Sequence, residues 1–178
     1  HLNVRRQRQM CIRDSPISAL VDITNYLTFD RARPLHVFDA DKLSGGLTVR
    51  RSVEGEKFHA LDDKIYELNE GMIVITDEKE IVSLGGIIGG MKSAVSDETK
   101  NVLLEAAYFD PISIAATGRK LQINSDARYR FERGVDPSFT LSGSHIATKM
   151  ILDLCGGEAS DIIICLLYTS DAADERSG

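Results

Sequence analysis

Three cysteines, four prolines and no tryptophan stand among 178 residues. No apolar run reaches the roughly 20 residues that a membrane-spanning helix needs, which leaves no membrane partner to expect. So few thiols give no disulfide framework, and together with the lack of a secretory leader they suit a reducing, cytoplasmic location. Positive charge is also in short supply: 21 lysines and arginines face 27 acidic residues, for a net charge of −6. That balance excludes a uniformly basic nucleic-acid coat but leaves room for a local basic patch.

The two ends stand apart from the rest. Arg5 to Asp14 has no apolar period, and Cys165 to Glu175 matches nothing around it. Codons that spell Arg5 to Asp14 have a reverse complement that, in another frame, spells Cys165 to Asp174, and this DNA resembles a transposase sequencing adapter. Residues 1–15 and 165–178 are therefore expected to be translated adapter, outside fold reasoning. The remaining stretch, 16–164, holds 16 basic and 23 acidic residues, a net charge of −7, and keeps only Cys155 of the three thiols. About 150 residues suffice for one domain with a sizeable core, here expected to be incomplete at its N-terminal side.

From Pro16 to Phe29, apolar residues at three- and four-residue steps predict an amphipathic helix with Asp22, Thr24 and Asn25 on or near its polar side. It ends before Arg31 to Pro34, and a loop is expected to carry Leu35 to Asp41, with His36 between apolar neighbours. The period then changes to short β-type runs: 47–53, 57–61, 65–68, 72–76 and 81–84. Glycine and acidic turns separate them, so most neighbours should pair antiparallel, with Met72 to Thr76 as a central strand and His59 at a surface or edge.

Leu84-Gly-Gly-Ile-Ile-Gly-Gly-Met-Lys-Ser93 is nearly a phosphate-binding loop, but Met91 separates Gly90 from Lys92 and breaks the required register. Without side chains, Gly89 and Gly90 instead permit close approach of a ligand to the main chain. After a polar turn from Ser93 to Lys100, Asn101 to Phe109 reads as a buried strand. Glu105 is conspicuous there, since a carboxylate between Leu104 and Ala106 requires either a cation or a ligand as partner. Pro111 opens a helix to Leu121, and Pro137 opens another to Leu154, closed by Gly156-Gly157.

Between these helices lies Asn124 to Pro137, with Arg128, Arg130 and Arg133 among its charges. Ser125 or Asp126 can cap a short helix, with Asp126 to Arg130 and Arg128 to Glu132 at ion-pair spacing. Tyr129, Phe131 and Val135 offer anchors, and Gly134 can close the helix in a left-handed turn. Internal ion pairing and contact with an RNA are both open to these arginines. Strands followed by helices give an α+β fold, a mixed, largely antiparallel β-sheet flanked by helices.

Five motifs in order, Val21-Asp-Ile-Thr-Asn-Tyr26, Pro34-Leu-His-Val-Phe-Asp39, Leu84 to Gly90, Asn101-Val-Leu-Leu-Glu105 and Arg128 to Pro137, resemble the editing domain of bacterial phenylalanyl-tRNA synthetase beta subunits over 16–164. The resemblance implies a module that hydrolyses tyrosine wrongly attached to phenylalanine tRNA. It lies within a subunit that assembles with alpha subunits as α2β2. The parent enzyme charges its tRNA using ATP and magnesium at a centre in the alpha subunit; the module itself requires no cofactor and holds no metal. By the same resemblance, Thr24 and Asn25 lie near the attacking water and His36 is the pocket histidine. Gly89 and Gly90 form a backbone wall, Glu105 receives the tyrosine hydroxyl, Ala127 is a small wall residue, and Ser125 stands where some relatives carry threonine. Arg128, Arg130 and Arg133 are candidates to hold the acceptor end of the tRNA.

The chemistry agrees with the roles so implied. Tyrosine and phenylalanine differ by one hydroxyl, so a site that selects the former needs a buried acceptor, which Glu105 supplies. The ester is already activated, so an oriented water is the main requirement, and His36 is expected to position it more than to deprotonate it. Two other classes remain: a free-standing aminoacyl-tRNA deacylase or tRNA-binding module, and a metal-dependent hydrolase built on His36, Asp39, Asp41 and His59, whose spacing matches no metal signature.

Overall fold

A computed structural model describes residues 19–164; both expected adapter segments, and the start of the first predicted helix, lie outside the described residues. Helix α1 spans Ala19–Arg31. It ends where Ala32 turns left-handed at φ 52°, just ahead of Pro34. The next stretch, expected as a loop, is strand β1 (His36–Asp39), which pairs antiparallel with β8 (Val102–Glu105) in the register His36↔Glu105, Val37↔Leu104, Phe38↔Leu103. Only four residues long and bounded by His36 and Asp39, β1 lacks the alternation that marks a half-buried strand. Its partner is less buried than its apolar run predicts: Leu103 is exposed and the other three residues are half-buried.

The β-type runs form as expected. Strand β2 (Thr48–Arg51) pairs with β5 (Ile73–Thr76), β5 with β6 (Ile81–Leu84), and β6 with β7 (Ile88–Gly89), so β5 is internal to a four-stranded antiparallel sheet. Strands β3 (Lys57–His59) and β4 (Ile65–Glu67) make a hairpin. A bridge between Ala60 and Gly90 joins it to the glycine segment. All of these pairings are antiparallel. Strand β7 lies in what was read as a glycine loop, where apolar periodicity has too few residues to register.

Three helices follow: α2 (Pro111–Lys120), α3 (Asp126–Phe131) and α4 (Phe139–Cys155). Asp110 caps α2 by accepting from the Ser113 amide, and α4 closes at Gly156, φ 77°. The fold is α+β, with largely antiparallel sheet flanked by helices. Phe38, Phe58, Val74, Leu84, Phe109, Ile114 and Phe131 belong to the main core, and Ile23, Leu27 and Ala147 form a second cluster between α1 and α4. The β1–β8 ribbon separates the two: Phe38 enters the main core while Leu104, on the opposite face by strand alternation, packs on the second cluster.

Candidate functional site

Residues directly opposite in an antiparallel pair project to one face with their Cβ atoms about 5 Å apart. The register therefore sets His36 beside Glu105, on the face that Phe38 presents to the main core. The imidazole packs edge-on against Phe38, centroids 4.5 Å apart, and its Nε2 is buried with no hydrogen-bond partner. Burial pushes its pKa down to about 4, so the ring is neutral at pH 7. Glu105 keeps a little solvent contact along its length, yet its carboxyl group is desolvated enough to raise its pKa to about 7. Among the described residues it forms no ion pair, so the arginine partner that the sequence left open is not the one the fold supplies. The imidazole Nε2 is thus buried without a partner, and beside it stands a desolvated carboxyl group that has no ion pair among the described residues.

The glycine segment closes one side of this pair. A Cβ on Gly89 would meet His36 Nε2 at 2.6 Å and Leu61 Cδ1 at 3.1 Å, so the ring lies directly on the main chain there. A Cβ on Gly90 would meet the Val82 carbonyl at 2.6 Å and Phe58 at 3.2 Å, so that position also has no room for a side chain. Gly86, which the sequence gave no reason to single out, is left-handed at φ 68° and seated on Phe109, Ile114 and Phe131. Its requirement for glycine is therefore set by the core.

Thr24 is buried, contrary to its expected place near the polar side of α1, and its Oγ1 donates to the Val21 carbonyl at 2.9 Å. Asn25 beside it is half-buried. Ser125 caps α3: its Oγ accepts from the Arg128 amide at 3.0 Å and donates to the Ile87 carbonyl at 2.6 Å. Ala127 packs against the main core.

Of the three arginines, Arg128 and Arg130 lie on α3 and are 12% and 16% exposed, while Arg133 lies in the turn after it. Arg128 pairs with Glu132 at 3.0 Å and donates to the Ile123 carbonyl at 2.6 Å, crossing α2 at Gly118. Arg130 pairs with Asp126 at 3.3 Å and lies over Phe29. Arg133 is 54% exposed, over the Tyr129 ring at 3.6 Å. Tyr129, expected as an apolar anchor, is exposed, whereas Phe131 and Val135 are buried. An open groove of about 440 Å³ runs past Arg31, Arg130, Arg133 and Tyr129, with Arg33 at its floor.

Arg33 was not singled out in the sequence, where it falls in the stretch after the first predicted helix. It is 1% exposed, donates through Nη1 to the Ala107 carbonyl at 3.1 Å and through Nη2 to the Asp136 carbonyl, and its Nε has no partner. The residues of the metal-hydrolase alternative disperse. Asp39 accepts from Thr99, Asp41 from Asn101, and His59 pairs with Asp63. No group of three or more potential ligands converges among the described residues, so they do not fit a magnesium or zinc centre.

A family model described as the B3/4 domain matches residues 5–156. The phenylalanine--tRNA ligase beta subunit of Ruegeria pomeroyi is 60% identical over 149 residues, 84% of this chain and 19% of that subunit. The beta subunit of Cereibacter sphaeroides is also 60% identical over 149 residues, 84% of this chain and 18% of its own length. Among solved structures, an N-terminal fragment of the phenylalanyl-tRNA synthetase beta subunit from Pyrococcus horikoshii aligns with a TM-score of 0.43 at 18% identity, over 52% of this chain and 34% of its own. The chain thus spans about a fifth of the length of the curated relatives. The family model and the curated relatives show that the chain belongs to the B3/4 domain family and corresponds to that stretch of phenylalanine--tRNA ligase beta subunits.

Proposed function

We propose that this domain hydrolyses tyrosine mistakenly esterified to phenylalanine tRNA, as the editing module of a phenylalanine--tRNA ligase. The observation that carries the proposal is the pair on facing strand positions: His36, whose Nε2 is buried without a partner, and Glu105, whose carboxyl group is desolvated and has no ion pair among the described residues. A pocket that must admit tyrosine and reject phenylalanine needs a desolvated acceptor for one hydroxyl. Phenylalanine would leave Glu105 buried and unpaired, which is the kind of penalty that separates such substrates by orders of magnitude.

Neutral His36 holds the attacking water through Nε2, and Asn25 with Thr24 on α1 completes that water's surroundings. Positioning suffices because the ester is already activated. Gly89 lets the imidazole approach the main chain, and Ala127 leaves room for the aminoacyl ring. Arg133 meets the acceptor end of the tRNA, while Arg128 and Arg130, both nearly enclosed and paired with carboxylates, hold the helix that precedes it. The complete ligase joins phenylalanine to its tRNA in the cytoplasm with ATP and magnesium, at a centre in an alpha subunit of an α2β2 assembly, and no residue described here takes part in that step.

The test is Glu105→Gln in the complete ligase, assayed on purified tyrosyl- and phenylalanyl-tRNA. A collapse in the preference for the tyrosyl ester is expected, with aminoacylation unchanged. An unaltered preference would remove Glu105 from recognition and the proposal with it.

A further inference from the structure

Ser125 occupies a position where a hydroxyl facing the ligand is the simple expectation, yet its hydrogen-bonding capacity is directed into the protein. Its single proton goes to the Ile87 carbonyl at 2.6 Å, and it accepts the Arg128 amide at 3.0 Å as the N-cap of α3. Ile87 lies in the turn between β6 and β7, two residues before Gly89, and that glycine is the surface on which the His36 ring rests. The first turn of α3 is further constrained, because Arg128 crosses Gly118 of α2 and bonds the Ile123 carbonyl. A continuous path therefore runs from α2 through α3 and Ser125 to the glycine turn, and from there to the imidazole.

We propose that Ser125 is a positioning residue: through the Ile87 carbonyl it fixes the Gly86–Gly89 turn against His36 and so sets the site's geometry without touching the ligand. The Ile87 amide donates to Leu84 at 3.0 Å and the Gly89 carbonyl accepts from Leu61 at 3.0 Å, so the turn is held at both ends, while Ser125 holds its middle. Threonine keeps both hydrogen bonds. Alanine loses both, and aspartate retains the cap but has no proton to donate, which separates the two functions of the hydroxyl.

The inference rests on the editing proposal only for its kinetic readout. The full chain carrying Ser125→Thr, Ser125→Ala or Ser125→Asp is followed by carbon–proton NMR of the histidine rings, with the His36 signal assigned as the one that His36→Gln removes. In Ser125→Ala and Ser125→Asp the titration midpoint of His36 should move from about 4 towards the ordinary imidazole value near 6.5, as water enters beside the loosened turn; Ser125→Thr should leave it in place. In the complete ligase, the first two variants should lower kcat for tyrosyl-tRNA hydrolysis about fivefold, the weight of one ordinary hydrogen bond, with KM within about twofold. An unchanged His36 signal in both variants, or a rise in KM with kcat intact, would overturn the proposal, the latter by making Ser125 a ligand contact. A ligase without hydrolytic activity would sink the editing reading alone and leave the NMR result to decide this one.

Discussion

Two ionisable residues on facing strand positions are shifted in opposite directions by the same cause. Desolvation raises the Glu105 pKa from 4.5 to about 7 and lowers that of His36 from 6.5 to about 4. For Glu105, whose folded value exceeds its unfolded one, the contribution to stability is fully present below 4.5 and is lost as pH rises through about 7. At roughly 1.4 kcal/mol per unit, that loss amounts to about 3 kcal/mol. For His36 the contribution is present above 6.5 and is lost as pH falls through about 4. The two contributions oppose each other between about pH 4.5 and 6.5, so urea unfolding of the chain should change little over that window, and Glu105→Gln should unmask a rise in stability with pH there; parallel curves for the two proteins would mean that the carboxyl group is not desolvated. Under the proposed editing role, the same ionisation governs recognition. Because the anion penalises an unpaired ligand ring most, the preference for tyrosyl over phenylalanyl ester should increase from pH 6 to pH 8 in the complete ligase. At Gly89, an added methyl group would displace the imidazole, so Gly89→Ala should lower tyrosyl-tRNA hydrolysis at least tenfold while far-ultraviolet circular dichroism stays unchanged.

Helix α3 shows how a six-residue element becomes rigid enough to carry a site wall. So short a helix has little stability of its own and depends on its cap, its ion pairs and its packing. Ser125 supplies the cap, and Phe131 the buried anchor. Arg128, with its guanidinium nearly enclosed, bonds Glu132, Asn124 and the Ile123 carbonyl. Arg128→Ala should therefore cost about 2–3 kcal/mol in urea unfolding, since it strands a partly buried carboxylate and a carbonyl, whereas Arg133→Ala should stay within about 0.5 kcal/mol. Much of this was legible in the sequence: the cap, both i,i+4 pairs and the closing Gly134, which adopts φ 89°. All of these are local rules, decided within one turn. Legibility failed where a residue's environment is set by distant chain. His36 sits in a strand because β8, 66 residues on, pairs with it. Tyr129 points outward although its spacing suggested an anchor. The pocket carboxylate was identifiable because charge within an apolar run is conspicuous at any range, but its lack of a counter-ion is a fact of the fold.

At the scale of the whole molecule, the site depends on three segments distant in sequence meeting at one place: α1 with β1, the end of β8, and the α3–α4 connection. Arg33 links all three. It leaves the end of α1, bonds the Ala107 carbonyl two residues past Glu105, and bonds the Asp136 carbonyl between α3 and α4. Its stem fills the space opposite Gly143, where a Cβ would lie 3.0 Å from Cγ, so α4 is fitted to it as well. Burial lowers its pKa, opposed by the charge of Asp136, and no carboxylate forms an ion pair with it among the described residues. A cation held by carbonyls alone gives directional bonding at a desolvation cost, and removing it leaves two acceptors without donors. Arg33→Ala should accordingly destabilise the chain by about 3–5 kcal/mol, while Arg33→Met, which restores the packing without the charge, should recover part of that loss. The informative comparison is local. If Arg33 joins the segments, hydrogen exchange in Arg33→Met should accelerate at Ala106–Phe109 and at Val135–Thr140 together, with the β5–β6 amides unaffected. Acceleration spread evenly over the whole chain would mean that Arg33 contributes only bulk stability and that the three segments are held by the two apolar clusters instead.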